Sequence, residues 1–415
     1  MRVGHREKGR SSVADDSPTP QTPRAFHLAC ILEVLRRDRR TTRPKIAELT
    51  GLSRTAVGAL TDVFLRRGLA NSAGQEEPSI GRPATILEFN PDAALALGAD
   101  LVKNTWQIVA IDLDGQEVDS IEAGIADYAP DAAVQSLKRG VLDLVSRVGS
   151  GRVLPAIGVS TPGLVDVRSG IVRSARDYGW TDVPIRSMVE HHLGLETLVA
   201  NRGKVGALAE MWHTRDNGKD LIFIFIGSEI AAGIAHNGKL YLGSNSNAGD
   251  LGHTTVLPDG PICHCGNRGC LEELVSAPAI EKLITARLRE SGSGLVGHAA
   301  EGLVEPLTVE SVFRAAEEGD PVARQVVDEV AGYLGIAIAN LVNLFNPELV
   351  ILGGPVGLSG PVLVEPLRRE VNRRATPYAL GVVTIASSEL GAQAGSVGAA
   401  VLVLQQAARL LFTRG

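Results

Sequence analysis

Three of the four cysteines in this 415-residue chain lie within eight positions, in the segment HTTVLPDGPICHCGNRGC. With a histidine ahead of them they form the pattern His253-x9-Cys263-x-Cys265-x4-Cys270. Three thiolates and one imidazole are a complete tetrahedral ligand set for zinc, and they leave no open position for a reactive water. The spacing therefore predicts one structural Zn²⁺ per chain, around which this part of the chain must fold.

Other uses of these cysteines fit the pattern less well. A redox pair is more often C-x-x-C near the start of a helix, and that spacing is absent here. Any disulfide scheme leaves one of the three cysteines unpaired. The N-terminal segment has basic residues but no apolar stretch after them, so we expect no export signal and a reducing, cytoplasmic location. His264 is an alternative ligand, but as the side chain between Cys263 and Cys265 it is expected to point away.

At 415 residues the chain is too long for one ordinary core and suits two or three domains, and its 44% of hydrophobic residues are enough for a large core. No apolar run approaches the ~20 residues that cross a bilayer, so we expect no membrane contact. Residues 1–90 hold 15 Lys and Arg against 10 Asp and Glu, whereas the rest of the chain holds 26 against 37. A basic head on an acidic body indicates that the head binds a polyanion; chance clustering of surface charge is the plain alternative.

The basic head has the pattern of a winged helix-turn-helix domain over residues 24–89, preceded by a Ser- and Pro-rich arm, 1–23, that is expected to be disordered. Three helical segments come first, the second closed by Gly51 and the third begun by Ser53 as N-cap. A buried stripe of Val57, Leu60, Phe64 and Leu65 marks the third helix. Two β-prone pieces, LANSA and ATILEF, then flank a turn-rich segment and predict a hairpin.

In such a domain the third helix enters the DNA major groove with its first residues. Those residues are Ser53, Arg54, Thr55 and Ala56 here, and Arg82 lies at the tip of the predicted wing. Arg54 is suited to bridge a guanine or to hold a phosphate. We therefore predict a duplex DNA operator as partner, with a helical protein-interaction module as the alternative.

From about residue 91 the sequence pattern becomes α/β. Apolar segments that predict strands alternate with amphipathic segments that predict helices over 131–147, 202–213, 276–290, 307–318 and 321–344. Two pairs of strand segments look like related β-hairpins. In the first pair LGADL is followed by VAIDLDG, and in the second IFIFIG is followed by AGIAHNG. We expect each of them to open one lobe of the body.

One stretch carries a specific resemblance. NAGDLGHTTVLPDGPICHCGNRGCLEELVSAPAI resembles the signature of the ROK family, A-G-E-x-G-H followed by C-x-C-G-x-x-G-C-L-E. This family contains sugar kinases and sugar-responsive transcriptional repressors, and its kinases lack the winged helix. The resemblance covers residues 24–405 and includes the segments GRPATILEFNP, GVSTPGLVD, NLFNPELVILGGPV and GSVGAA.

The resemblance implies an actin-like (ribonuclease H-like) two-lobed ATPase fold with a sugar in its cleft. Lobe 1 would comprise 90–200 and be completed by a C-terminal helix, 391–413. Lobe 2 would comprise 201–390 and contain the zinc loop. With the winged helix in front, the chain resembles the repressors, which implies a homodimer, or a tetramer, on two DNA half-sites.

The resemblance also implies a set of sugar contacts. His253 would bind zinc through one ring nitrogen and a sugar hydroxyl through the other, with Glu272 and Asn201 as further contacts. Asp250 stands where the family has glutamate, which withdraws the carboxylate by one methylene, ~1.5 Å. Each residue alone would also suit an ordinary polar loop position.

The phosphate-binding parts of the kinases are altered. Their first loop, D-x-G-x-T, reads DLVKN from Asp100, and their second, close to G-T-G-I-G, reads GSEIA with Glu229 at its centre. Their catalytic aspartate is replaced by Arg202, and a guanidinium cannot act as a general base. We therefore expect a regulator without sugar kinase activity. The alternatives are residual kinase activity, a non-sugar effector or no effector.

Arg202 also bears on the ligand. Its guanidinium could bind the carboxylate of a sugar acid or the phosphate of a phosphosugar, and so belongs to the predicted effector site. Alternatively, Arg202 pairs internally with Asp250 or Glu229 and neutralises the cleft.

Overall fold

The computed structural model describes residues 23–75, 83–214, 219–291 and 307–412. The chain divides into two compact units, residues 1–90 with 407–415, and residues 91–406. Most of the predicted arm, residues 1–22, and the wing residue Arg82 lie outside the described residues.

The N-terminal part of the first unit, over its described residues, has three helices and a small sheet. Strand β3 pairs antiparallel with both other strands, in the order β1-β3-β2. The three predicted helices and the hairpin are confirmed, whereas the three-residue β1 was too short to give a sequence pattern. In chain order the elements are α1 (Pro23–Asp38), β1 (Arg40–Thr42), α2 (Arg43–Thr50), α3 (Arg54–Arg66), β2 (Ala70–Gln75) and β3 (Thr85–Phe89).

The predicted helix boundaries have their expected physical basis. Ser53 Oγ accepts a hydrogen bond from the Ala56 N–H at 3.2 Å and so caps α3. Gly51 closes α2 in the left-handed conformation, with φ of 70°. On α3, Val57 and Phe64 are fully buried, which fixes the opposite face toward solvent.

The first unit also contains the last helix of the chain, Ala407–Phe412. The Phe412 ring lies 5.2 Å from the Phe64 ring, and the Arg67 guanidinium lies 5.4 Å from the centre of the Phe412 ring. Arg67 also donates a hydrogen bond to the Leu411 carbonyl. The helix expected over 391–413 is therefore two helices. The second of them buries its apolar face in the first unit instead of completing lobe 1.

Lobe 1 of the second unit, residues 95–201, holds a five-stranded sheet in the order β11-β7-β4-β5-β6 and a small sheet, β10-β9-β8. Its elements are β4 (Leu95–Val102), β5 (Thr105–Asp112), β6 (Glu117–Gly124), α4 (Pro130–Val148), β7 (Val153–Thr161), β8 (Leu164–Asp166), β9 (Ile171–Ala175), β10 (Trp180–Val183), α5 (Ile185–Leu193) and β11 (Glu196–Asn201).

Lobe 2, residues 202–387, holds a five-stranded sheet in the order β14-β13-β12-β15-β16, and two more helices follow it. Its elements and those two helices are α6 (Arg202–Thr214), β12 (Leu221–Ile226), β13 (Ile230–His236), β14 (Lys239–Leu240), α7 (Glu272–Val275), α8 (Ala277–Ser291), α9 (Val309–Glu318), α10 (Pro321–Phe345), β15 (Leu349–Gly353), α11 (Gly354–Gly357), α12 (Pro361–Arg374), α13 (Pro377–Leu380), β16 (Thr384–Ser387), α14 (Ala394–Leu404) and α15 (Ala407–Phe412).

The two large sheets share one topology. Each begins with a three-stranded antiparallel meander, and two parallel strands then extend the sheet beside the first strand of that meander. The two hairpins seen in the sequence are β4–β5 and β12–β13, and each does open one lobe. This duplicated α/β arrangement is the predicted actin-like fold.

Close backbone packing and burial join these layers. Helix α14 crosses β4 and β7 at Gly98 and Gly158, where any side chain would collide with the backbone of Ala399 or Ala400.

Helix α10 is the one helix among the described residues with the length and hydropathy of a membrane span. Most of its apolar stretch is buried, since it lies in the core of lobe 2.

Candidate functional site

The four predicted metal ligands lie together in the loop between β14 and α7. Their ligand atoms are all within 4.8 Å of one another. The sulfur atoms of Cys265 and Cys270 are 3.7 Å apart, and His253 Nδ1 is 3.5 Å from Cys263 Sγ. Ligands around a tetrahedral zinc are separated by about 3.5–3.8 Å, whereas bonded disulfide sulfurs are about 2.05 Å apart. The cluster fits a zinc ion and is not a disulfide.

Two glycines shape this loop. Gly266 and Gly269 have φ of 91° and 65°, in the left-handed region, and a side chain at Gly269 would collide with the Leu257 carbonyl. The bends bring Cys270 back beside Thr255 in an antiparallel bridge. The local sequence therefore folds the three cysteines toward His253.

His264 does not point away from the cluster, so that expectation was wrong. Its Nδ1 lies 3.7 Å from Cys263 Sγ and also 3.7 Å from Glu272 Oε1. Its ring meets the His253 ring edge to face, with centroids 5.0 Å apart. The neighbouring carboxylate supplies the partner that draws the ring inward. Among the described residues, the group of possible metal ligands that includes all three cysteines has His253, and not His264, as its fourth member.

Glu272 and Asp250 flank the histidines differently. Glu272 begins α7, and its Oε2 accepts a hydrogen bond from the Ile230 N–H at 2.9 Å. Burial raises the pKa of the Glu272 carboxyl, and the charge of Asp250 adds a smaller rise. Asp250 itself is exposed, with Asn247 Nδ2 at 3.5 Å from its Oδ2. Its carboxylate is therefore free to turn toward a ligand.

Asn201 ends β11 and caps the helix that follows. Its Oδ1 accepts a hydrogen bond from the Lys204 N–H at 3.2 Å and lies 3.4 Å from Lys204 Nζ. Lys204 is only 2% exposed, and burial lowers the pKa of its ammonium to about 8, against the opposing effect of Asp250. Sequence reasoning missed Lys204. The signal was there, because a residue three positions after an Asn cap lies on the same turn as the cap.

Arg202, the first residue of α6, is held in an internal ion cluster. Its Nε lies 3.3 Å from Asp100 Oδ1 and its Nη1 lies 3.7 Å from Glu229 Oε1. It also donates to the Leu101 carbonyl, and its side chain is 4% exposed. Of the two alternatives for Arg202, internal pairing describes the structure, with Asp100 and Glu229 as partners. No Arg202–Asp250 ion pair occurs in the described part of the chain.

Arg202, Asp100 and Glu229, hereafter the arginine cluster, join the two lobes. Glu229 lies in the turn between β12 and β13 of lobe 2, and its Oε2 accepts a hydrogen bond from the Gly163 N–H of lobe 1 at 2.7 Å. Burial raises the pKa of the Glu229 carboxyl to about 7, although Arg202 opposes the rise. The Glu229 carboxylate therefore contributes polar contacts that connect lobe 2 to lobe 1.

The start of α3 presents the predicted DNA contacts. Ser53, Arg54 and Thr55 are exposed, and Ala56 is half-buried. Arg54 forms no ion pair with any residue that the structure describes. At Gly58 the space beside the helix is open, so another molecule can approach the backbone there.

A winged helix-turn-helix unit and a two-lobed, actin-like body with a Cys/His loop define a transcriptional regulator with a ligand-binding body. The sequence model of the ROK family matches residues 97–406, and the chain belongs to this family.

The proteins that this chain is similar to include both repressors and kinases. The chain is 31% identical over 381 residues to a xylose repressor of Caldicellulosiruptor bescii, covering 90% of this chain and 94% of the repressor. It is 33% identical over 318 residues to a glucokinase of Halalkalibacterium halodurans, covering 76% and 91%. A crystal structure of a ROK family transcriptional regulator, a homolog of the E. coli MLC protein, matches with a TM-score of 0.81 at 26% identity, covering 94% of this chain and 98% of that one.

Proposed function

We propose that this protein is a cytoplasmic, dimeric repressor whose first unit binds duplex operator DNA and whose second unit binds a sugar or sugar-derived effector without phosphorylating it. The xylose repressor aligns over 90% of this chain and the glucokinase over 76%. The larger share in common with a repressor, together with the winged helix-turn-helix unit, supports the DNA-binding half of the proposal. The exposed start of α3 supports Ser53, Arg54, Thr55 and Ala56 as the reading residues, with Arg82 as a further contact.

The arginine cluster is the observation that carries the proposal. Phosphoryl transfer needs a base at the sugar hydroxyl and a site that tolerates phosphate charge. Arg202 cannot accept a proton, and its charge is already matched by Asp100 and Glu229. Glu229 would repel a phosphate group. The cluster therefore opposes both parts of the kinase reaction.

For the effector site we propose Asn201, Asp250, His253 and Glu272, with Lys204 beside them. His253 Nδ1 faces the cysteines, which leaves Nε2 for a sugar hydroxyl. The zinc, held by His253 and the three cysteines, would fix the ring and stabilise the loop. Arg202 is withdrawn from direct contact with the effector by its internal partners.

The test begins with duplexes selected from a random DNA library by the full-length protein. A panel of sugars, sugar acids and phosphosugars is then screened for a shift in melting temperature and for a change in affinity for the selected duplex. ATP turnover is measured with each sugar. We expect one sugar class to change DNA affinity and no turnover above background. Turnover with any sugar would contradict the absence of kinase activity, and failure to select any duplex would contradict the repressor assignment.

A further inference from the structure

Helices α2 and α3 of the first unit are joined by a side-chain cluster that the proposed function does not yet use. Arg43 is the first residue of α2, and its Nε donates a hydrogen bond to Thr61 Oγ1 on α3 at 2.8 Å. Its Nη2 donates to Asp62 Oδ1, also on α3, at 2.5 Å. One guanidinium therefore contacts two consecutive residues of the helix that is proposed to read DNA.

These contacts constrain the position of α3 relative to α2. Thr61 is fully buried, and its hydroxyl donates to the Val57 carbonyl at 2.8 Å, so the oxygen that Arg43 contacts is itself held in place. A guanidinium is planar and presents its N–H groups in a rigid fork, so simultaneous bonds to Thr61 and Asp62 fix its own orientation. The start of α2 and the middle of α3 are therefore held at one mutual geometry.

Asp62 lies on the side of α3 that is proposed to face DNA. It is the one acidic residue of the helix. It follows Thr55 by seven residues, close to two helical turns, so the two residues share a face, and both are exposed, as is Ala59 between them. Duplex DNA carries one negative charge per about 1.7 Å of its axis. An unpaired Asp62 carboxylate would therefore oppose the approach of a duplex.

We propose that Arg43 is a positioning residue for operator binding, which fixes α3 against α2 and neutralises the Asp62 carboxylate on the DNA-facing side. The inference rests on the proposed DNA-binding function and adds to it a residue outside α3. Arg43 acts through Thr61 and Asp62 and reads no base itself. The side chains of Arg43 and Asp62 are 36% and 51% exposed, and ion pairs of this kind add little to stability, so their loss should affect DNA binding more than folding.

The test compares full-length variants by fluorescence anisotropy, with the selected duplex and a scrambled duplex of the same composition as probes. Arg43→Met keeps the aliphatic stem and removes the guanidinium. We expect it to bind the selected duplex about tenfold more weakly, because an unpaired carboxylate then faces the phosphates. We also expect a lower ratio of selected to scrambled affinity, because α3 is no longer held in register. Native affinity for the selected duplex, or an unchanged ratio, would overturn the proposal.

A double variant separates this role from a direct contact between Arg43 and DNA. Asp62→Asn keeps an acceptor for Arg43 and removes the charge. Added to Arg43→Met, it should recover most of the lost affinity, because no carboxylate is left to neutralise. A double variant as weak as Arg43→Met alone would show that Arg43 contacts DNA directly, and would overturn the proposal.

Lys45 provides the matched control, because it lies on the same helix and pairs with Glu48 of α2 at 2.9 Å instead of with α3. Lys45→Met should change the two affinities by the same factor and leave their ratio unchanged. Circular dichroism checks that each variant folds. If Arg43→Met does not fold, Arg43→Lys keeps a charge beside Asp62 without the fork, and it should still lower the ratio. Selection of no duplex by the native protein would overturn the repressor proposal itself, whereas contrary variant affinities on a selected duplex would overturn only the role of Arg43.

Discussion

Arg202 is a buried cation with two carboxylate neighbours, an arrangement whose energy depends on all three partners. Removing a guanidinium from water is costly, and the nearby charges of Asp100 and Glu229 offset that cost. The cation also lies 5.1 Å from the centre of the Phe225 ring, a further favourable contact. Loss of one member leaves the others buried and unmatched.

We predict that Arg202→Ala lowers the free energy of unfolding by about 3–5 kcal/mol, because Asp100 and Glu229 would be left as neighbouring buried carboxylates. Urea denaturation measures the loss. Arg173, which pairs with Asp182 at the surface, is the matched control, and Arg173→Ala should change stability little. Equal stability of the two variants would show that the cluster does not hold the lobes.

Glu229 predicts a pH dependence of stability. Its pKa rises from 4.5 to about 7 on folding because the carboxyl is buried. Between these pH values the folded protein retains a proton that the unfolded chain has released, so the free energy of unfolding falls as the pH rises from about 4.5 to about 7. Glu229→Gln keeps a hydrogen-bond acceptor for the Gly163 N–H and removes the titrating group. Over this pH range the free energy of unfolding of the variant should therefore fall less than that of the native protein, by up to roughly 3 kcal/mol.

Urea denaturation at a series of pH values checks this. Glu389→Gln removes a carboxylate that is 85% exposed and should give a curve parallel to that of the native protein. A Glu229→Gln curve that is also parallel would mean that the carboxyl does not titrate in this window.

At the scale of elements, residues 241–271, between β14 and α7, have almost no regular secondary structure. A metal ion bound by His253 and the three cysteines would therefore be the main constraint on their path. We predict that Cys265→Ser lowers zinc content from one per chain and destabilises lobe 2, because structural zinc contributes directly to folding. Elemental analysis and thermal unfolding with and without chelator measure both effects. Cys30→Ser, outside the loop, is the control and should keep its zinc. Purified native protein without zinc, and with stability unaffected by chelator, would refute the site.

Helix α3 has chemically similar arginines at its two ends, Arg54 and Arg66, both exposed. We predict that Arg54→Ala weakens binding to the selected duplex by about 1–3 kcal/mol, because its position is at the end that enters the major groove. Arg66→Ala, at the far end, should have a smaller effect that is the same for every sequence. Fluorescence anisotropy over a range of salt measures both. A larger loss for Arg66→Ala would reverse the assigned orientation of the helix.

At the scale of the whole molecule, the first unit is built from both ends of the chain. Leu410 of α15 is 7% exposed, and α15 packs against α1. We predict that Leu410→Ala destabilises the first unit by roughly 2–4 kcal/mol, the cost of a cavity in a core. Amide hydrogen exchange in α1 and α3 measures this in the full-length protein. Leu344→Ala, on the exposed face of α10, should leave those amides unchanged, and the same result for Leu410→Ala would show that α15 adds no stability.

Much of the architecture could be predicted because its signals are local. Helix periodicity and caps gave α3 and α10, and apolar runs gave β4, β5, β12 and β13. Short edge elements such as β1 and β14 were missed, because two or three residues carry no period and form only where a neighbouring strand offers hydrogen bonds. The division between α14 and α15 was missed for a related reason. Both segments are helical and apolar, and only their partners differ.

For the candidate site, the sequence determined which residues could bind a metal, because the ligand set and its spacing lie within eighteen consecutive residues. It also determined that Arg202 is no base, since that follows from the side chain alone. Only the tertiary structure decided that Arg202 pairs with Asp100 and Glu229, which lie 102 residues before it and 27 after it. The same holds for Lys204 beside Asn201 and Asp250. Burial and charge pairing depend on which distant segments meet in space, and no local pattern encodes that meeting.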